Sequence, residues 1–427
     1  HNMHGKSPVL RIVAALAGNA LELYEFCLYG FFAAIIAKLF FPLEDPLVGL
    51  IASYGVFATG FLSRPLGGLV IGYIGDHYGR QRALELSIAA MLLPTLAMGL
   101  LPTYAQIGLA APVLLILLRM AQGFSLGGEL MGSHAFLTEA TPRAHWGYSA
   151  SWSIVGTFFG QVLALLTLRA TTWLTSEEAL VSWAWRIPFV LGALFGLLGL
   201  LLRRAVPASP PTTAPVQVRS ELRRCLPSMA YLYGLGIVTT VGFYLIGVYI
   251  PVYLCSQRKL PYSIAATSTI INLVCTGAAL PPLAALSDRI GRRPVMLVGS
   301  VLLAASAYPC FWVLLYAPLP LMMLAHTFLG LVAAVIYAPT PAVFMELFPP
   351  SIRHMASSIA YNGAVLSFGG CSPMIVTALI RETGDPLAPA YWLIAACGAS
   401  LLTIALMPES SELVYEDEAL LVGTRIT

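Results

Sequence analysis

Five ionisable side chains lie deep inside apolar runs of this 427-residue chain: Glu22, Glu25, Arg64, Arg119 and Glu129. An ionised group at the centre of a bilayer costs at least about 3 kcal/mol on insertion scales, so each marks a pathway or an ion pair. Two chemistries follow. A buried carboxyl titrates usefully near neutrality until a cation approaches it, whereas a buried guanidinium offers a partner to an anionic substrate. Asn19, Glu22, Phe26 and Tyr29 recur at three- and four-residue steps with Glu25 beside them, which predicts one helical stripe facing a cavity. Glu22 lies about 14 Å into its run and Arg64 at a similar depth in the next, so Arg64 is expected to pair with one of the two glutamates. Arg119, Gln122, Leu126, Glu129 and Ser133 share a face. Arg119 and Glu129 stand about 15 Å apart along it and cannot meet. Arg119 is expected to meet Glu25, and Glu129 some other group. A substrate carboxylate competing for an arginine would then couple substrate to proton. The competing reading is that these charges are buried pairs that fix helix packing.

The second half of the chain has no acid inside an apolar run. Its candidates are Tyr244, Tyr249, Asn272, His326, Tyr337, Tyr361 and Asn362, which enclose and orient a substrate without carrying protons. His326 occupies the place of Arg119 at an offset of 207, although a lone His among apolar residues is more often a hydrogen-bonded packing residue.

Positioning these groups requires membrane-spanning helices of about 20 residues each. Apolar runs occupy about 13–36, 47–74, 83–101, 111–137, 147–170, 186–202, 229–254, 262–286, 295–316, 319–344, 355–380 and 389–407, which makes twelve. The chain is 58% hydrophobic and 10% charged, too little polar surface for a water-soluble globule and too little charge for disorder. A net charge of +3 with dispersed basic residues excludes a nucleic-acid surface. The seven cysteines are scattered, with no CxxC pair and no His at ligand spacing, so neither a metal nor a cofactor is expected. The first run lacks a cleavage pattern and is read as a spanning helix that stays. With the N-terminus inside, cytoplasmic segments hold 15 of the 23 basic residues and the opposite side six. Both termini should therefore face the cytoplasm.

The expected organisation is a six-helix bundle over 1–202, a cytoplasmic linker over 203–228, a second six-helix bundle over 229–408 and an acidic tail over 409–427. An internal repeat supports it. GYIGDHYGRQR at Gly72–Arg82 returns as ALSDRIGRRP, with Asp76, Gly79 and Arg80 matching Asp288, Gly291 and Arg292 at an offset of 212. Glu139 with Pro142 recurs as Glu346 with Pro349 at 207. Parallel repeats of this kind are the plan of two-bundle alternating-access transporters with a midplane site.

These loops resemble the signature G-x-x-x-D-R-x-G-R-R of the major facilitator superfamily. Within it GNALELYEF at Gly18–Phe26, GFLSRPLGG at Gly60–Gly68, RMAQGFSLGGE at Arg119–Glu129, WRIPF at Trp185–Phe189 and YNGAVLSFGG with Pro373 are similar to strings of the metabolite:proton symporter family. The resemblance implies an all-α integral membrane protein with twelve transmembrane helices in two six-helix bundles related by a pseudo-two-fold. It also implies a conformational gate at Asp76, Gly79, Arg80, Asp288, Gly291, Arg292, Glu139, Glu346 and Arg353. In such loops the glycines allow close approach and the aspartate caps a helix or bridges the bundles. His77 and Trp146 depart from the pattern, the latter standing where Arg353 stands in the second half. The expected function is a proton-coupled importer of a small organic metabolite in a bacterial inner membrane. An organic carboxylate leads, because two intramembrane arginines offer anion partners. The alternatives are a proline- or betaine-like zwitterion, an iron-chelating carboxylate, and a proton-antiport exporter of drugs. Protons and membrane lipid are the expected partners, the protein is expected to be a monomer, and no phosphate loop, nucleophile elbow or HExxH helix points to an enzyme.

Overall fold

A computed structural model describes residues 8–42, 52–53, 55–56, 58–206 and 217–415. Among them eleven helices are long and apolar enough to cross a membrane. They are α1 (Pro8–Phe31), α3 (Arg80–Leu100), α4 (Ala110–Glu139), α5 (Arg143–Leu174), α6 (Arg186–Arg204), α7 (Leu226–Gln257), α8 (Tyr262–Ile290), α9 (Arg292–Tyr316), α10 (Leu319–Glu346), α11 (Arg353–Thr383) and α12 (Ala388–Glu412). The twelfth is α2 (Arg64–Tyr78), preceded by helical residues at 52–53, 55–56 and 58–59 and a turn at 60–63; residues 47–51, 54 and 57 of the run expected over 47–74 lie outside the described residues. The fold is all-α, two six-helix bundles, α1–α6 and α7–α12.

The polarity of the surface is inverted relative to a soluble protein. Leu93, Leu109, Trp173, Leu174, Leu324 and Leu406 are all more than 60% exposed, while Glu22, Arg119, Glu129 and His326 are buried. Lipid accepts the first set, and the second set must find partners inside.

Small residues set how closely the helices pack. A methyl group on Gly123 would strike the Gly60 backbone, and one on Gly67 the Phe124 backbone, so α2 and α4 touch main chain to main chain. Gly156 and Gly160 do the same for α5 against Leu16 and Ala20 of α1, the intramolecular packing that suits a monomer. Two tight corners need positive φ. Gly79, at +106°, joins α2 to α3 in one residue, and Gly291, at +99°, joins α8 to α9. Residues 43–51 and 207–216 are not described, but the expected linker is shortened from both sides. Helix α6 continues through Arg204, and Val218–Arg224 forms a short helix of its own before α7. π-helical segments interrupt α7 at Phe243–Tyr249 and α11 at Val365–Gly369, widening the turns beside the central space.

Candidate functional site

Between the bundles lies a cavity of about 60 Å³. From the first bundle Asn19, Phe26, Arg64, Glu129 and His134 reach it; from the second come Thr239, Phe243, Tyr244, Tyr337, Phe344 and Tyr361. Arg64 is the one lysine or arginine on its wall among the described residues, Glu129 lies on the wall too, and rings from both bundles line it, with Tyr244 and Tyr361 near the Arg64 guanidinium. The Arg64 guanidinium sits 5.1 Å from the Phe61 ring centre and 5.9 Å from that of Phe26. Tyr244 meets Phe61 edge-on at 5.4 Å, and Phe61 itself lies on Gly370 of α11, where a methyl group would collide with the ring. Arg64 Nε donates to Asn362 Oδ1 at 3.3 Å, and the Asn362 amide donates to the Gly127 carbonyl. Asn362 itself does not line the cavity; with Arg64 it ties α2 to α11 across the interface between the bundles.

The expected α1 stripe is corrected. Asn19, Leu23 and Phe26 face the cavity, whereas Glu22 and Glu25 turn into the first bundle. A helix advances about 100° per residue, which puts Glu22 about 60° and Glu25 about 120° from Asn19, while Leu23 and Phe26 fall within about 40°. Tyr29 also leaves the cavity, its hydroxyl donating to the Ser53 carbonyl at 3.1 Å. Neither expected arginine–glutamate pair forms. Arg64 meets Asn362. Arg119 lies 4.1 Å from the Phe26 ring centre and 4.4 Å from that of Tyr29, and Nη1 donates to Gln122 Oε1 at 2.9 Å. Gln122 Nε2 donates to Thr95 Oγ1 at 3.2 Å and Thr95 donates to Glu25 Oε2 at 2.5 Å. The link from Arg119 to Glu25 thus passes through two neutral side chains.

The other group expected for Glu129 is Arg203, at the end of α6. Nη1 donates to Oε2 at 2.9 Å and Nη2 bonds Oε1. Ser87 of α3 joins Glu129 to Glu22, its Oγ 2.5 Å from Glu129 Oε2 and 2.9 Å from Glu22 Oε1. Asn19 donates to the Ser153 carbonyl at 3.2 Å, and Ser133 donates to Asn19 Oδ1 at 3.3 Å.

In the second bundle Tyr244 and Tyr361 line the cavity, but Tyr249, Asn272 and His326 do not. His326 is held by the Ser268 hydroxyl at 2.9 Å and the Ile246 carbonyl at 3.0 Å, a packing role. Asn272 packs on Gly330 of α10, and Tyr249 on Tyr253, 5.8 Å between ring centres.

At the end that carries the repeated loops the bundles are bonded to each other. Asp76 of α2 accepts from the backbone N–H groups of His354 and Met355, 3.1 and 3.0 Å, in the first turn of α11. Asp288 of α8 accepts from Gly147 and Tyr148, 2.8 and 3.0 Å, in the first turn of α5. Carboxylates at helix N-termini are favourable on both hydrogen-bond and dipole grounds. Each aspartate also pairs with its own arginine, Asp76 with Arg80 and Asp288 with Arg292 at 2.6 Å. Beyond this the corners differ. Glu139 accepts from Arg80 at 2.7 Å and, across the interface, from Arg353 at 3.3 Å. Glu346 accepts from Arg292 at 2.7 Å and from Ser410 at 2.9 Å, both in its own bundle. Trp146 occupies the matching position and receives Arg353 and Arg143 on its ring, 5.0 and 4.8 Å from centre. Glu409 seals the start of α9 by accepting from the Arg292 and Arg293 backbones, and the Leu413 carbonyl accepts from Arg143 of the first bundle.

The site residues absent from the sequence reading include Arg203, Ser87, Thr95, His134 and Phe61, and Thr239, Phe243 and Phe344 on the cavity wall. Arg203 carried a signal, a basic residue in an apolar context, but its place at a helix end made it read as a charge that fixes topology. The hydroxyls carried none.

The profile described as "Sugar (and other) transporter" matches residues 10–226, and that of the "Major Facilitator Superfamily" matches 232–418. The "Proline/betaine transporter" of Salmonella typhimurium is 35% identical over 94% of this chain and 83% of its own length. The "Glycine betaine/proline/ectoine/pipecolic acid transporter OusA" of Dickeya dadantii is also 35% identical, with the same coverage. Among solved structures, the proton:xylose symporter XylE bound to 6-bromo-6-deoxy-D-glucose superposes with a TM-score of 0.78 at 17% identity, over 97% of this chain and 98% of that one. Its inward-open conformation from E. coli scores 0.68 at 19% identity, over 97% and 100%.

Proposed function

This chain belongs to the major facilitator superfamily of membrane transporters, and on that premise we propose that it imports a small zwitterion together with protons by alternating access. The observation that carries the substrate class is a cavity that combines one guanidinium, Arg64, with the rings of Tyr244, Tyr337, Tyr361 and Phe344. A guanidinium binds a carboxylate, and ring faces attract an alkylated ammonium within about 6 Å. The geometry weakens the organic-carboxylate reading, which counted two arginines: Arg119 is occupied inside the first bundle, leaving Arg64 alone at the cavity. The relatives, named as transporters of proline, betaine and ectoine, point the same way.

Proton coupling is supported by the three glutamates inside the first bundle, and the loop motifs act as a gate that opens and closes one end. Both termini and that gate face the cytoplasm on the basis of the charge asymmetry, in the inner membrane of a bacterium. The bundles are two domains joined by the segment around 203–228, and the transporter works as a monomer without a cofactor. The aromatic wall also suits an exporter of apolar cations, which Arg64 opposes by charge.

The test is uptake by proteoliposomes under an inward proton gradient, with labelled glycine betaine, proline, oxoglutarate and citrate, and an ionophore control. Ionophore-sensitive accumulation of betaine or proline is expected. Accumulation of oxoglutarate or citrate alone would restore the carboxylate reading, and efflux of cationic dyes the exporter.

A further inference from the structure

Four polar side chains form a chain across four helices inside the first bundle: Glu22 on α1, Ser87 on α3, Glu129 on α4 and Arg203 on α6. Each is at most 3% exposed. The Ser87 hydroxyl lies within hydrogen-bond range of a carboxyl oxygen on either side, 2.9 Å from Glu22 and 2.5 Å from Glu129. A hydroxyl has one hydrogen to donate, and an ionised carboxylate has none. Both contacts are hydrogen bonds only if one carboxyl supplies a second hydrogen.

Arg203 decides which. Its two terminal nitrogens hold both oxygens of Glu129, the bidentate arrangement of a guanidinium on an ionised carboxylate. Gly18 of α1 leaves the space that the guanidinium fills. Glu22 has no such cation: one oxygen meets Ser87, and Oε2 has no hydrogen-bond partner among the described residues. A neutral carbonyl oxygen tolerates that isolation far better than half of a buried carboxylate. Arg203 is the one cation that acts on Glu22 among the described residues, and both of its terminal nitrogens are bonded to Glu129; the other charged groups that face the cluster, Glu25 on α1 and Glu85 on α3, are acids. At Glu25 the count closes without a carboxyl hydrogen, since Thr95 receives from Gln122 and gives its own hydrogen to Glu25, although Glu25 Oε1, like Glu22 Oε2, has no partner among the described residues.

We propose that, with the loop-motif end closed, Glu22 holds the transported proton as a neutral acid that donates to Ser87, which donates to the Glu129 carboxylate. The assignment rests on the proton-coupled reading above. Transfer runs along the same bonds. Glu22 Oε1–H breaks as Ser87 Oγ takes that hydrogen, and the hydrogen of Ser87 passes to Glu129 Oε2. Glu22 becomes the carboxylate, Glu129 the acid, and the net charge is unchanged. Glu129 also borders the substrate cavity, so the proton arrives at the cavity wall as the ion pair between α4 and α6 is dissolved.

The experiment is infrared spectroscopy of the reconstituted full chain in a Glu25→Gln background, which removes the carboxyl whose state the hydrogen count leaves open. A carbonyl stretch of a protonated carboxylic acid is expected, lost on adding Glu22→Gln, displaced by Ser87→Ala and returned by Ser87→Thr. With Glu25 intact, Glu22→Gln should reduce gradient-driven betaine accumulation to the ionophore-treated level while betaine counterflow persists, which also shows that the variant is folded. Persistence of the band in Glu22→Gln, or accumulation by that variant equal to the parent, overturns the assignment. A parent that shows the Glu22 band yet accumulates none of the four substrates supports the assignment and overturns the transport reading.

Discussion

On the proposed function, Arg64 is the residue on which substrate choice turns: its guanidinium would anchor a carboxylate and is already bonded to Asn362. Hydrogen bonds to charged groups contribute about 1.5–3 kcal/mol, so Arg64→Ala is expected to raise the KM for betaine by roughly tenfold to a hundredfold. Arg64→Lys keeps the charge but loses the fork and should fall between. Initial uptake rates against substrate concentration measure both, and an unchanged KM in Arg64→Ala would place the carboxylate elsewhere. The presence of Arg64, Glu22, Glu25, Arg119 and Glu129 as significant residues was legible from composition alone, because charge in an apolar run is rare enough to need a cause. Their partners were not legible. Ser87, Thr95 and Gln122 join them through neutral hydrogen bonds, and nothing in a one-dimensional pattern separates such a serine from one bonded to its own helix.

At the scale of the helix, the apolar runs were readable because length and hydropathy are set by the bilayer, but their ends were less so: α1 runs over Pro8–Phe31 where 13–36 was expected. Rotation about the helix axis was harder. Counting at three- and four-residue steps gathered Asn19, Glu22, Phe26 and Tyr29 into one stripe, yet α1 is buried on most sides, so its polar residues divide between the cavity and the bundle interior. Gly18 shows how tightly that second face is filled. A methyl group there would occupy the space of the Arg203 guanidinium, so Gly18→Ala is expected to lift Arg203 off Glu129. Breaking a buried pair costs about 3–5 kcal/mol, and a lowered unfolding temperature in detergent should report it. An unfolding temperature equal to the parent's would mean that Arg203 has a second seat. The same crowding explains why Arg203 escaped the sequence reading: a helix-end arginine looks like a topology signal until the neighbouring helix is known to have a glycine beneath it.

For the whole molecule, the repeat announced the two bundles before any coordinates, since Asp76 and Asp288 stand at equivalent corners and each caps a helix of the opposite bundle. What the repeat did not convey is how unequally those corners are fastened. At the corner of α2 and α11, Asp76, Arg80 and Glu139 all bond residues of the second bundle. At the corner of α5 and α8 Asp288 and Arg143 reach across by hydrogen bonds, and Trp146, standing where Arg353 stands in the repeat, offers Arg353 of the second bundle a ring face in place of a second guanidinium. A clasp with one strong side and one weak side does not part like two plates drawn straight away from each other; it swings. The α5–α8 corner should separate first, with the α2–α11 corner serving as the pivot. Spin labels across each corner would show the α5–α8 distance broadening at substrate and proton levels that leave the α2–α11 distance narrow, and simultaneous broadening would contradict the swing. A tryptophan exchanged for an arginine, without touching substrate or proton, then gives the transport cycle a preferred axis of rotation.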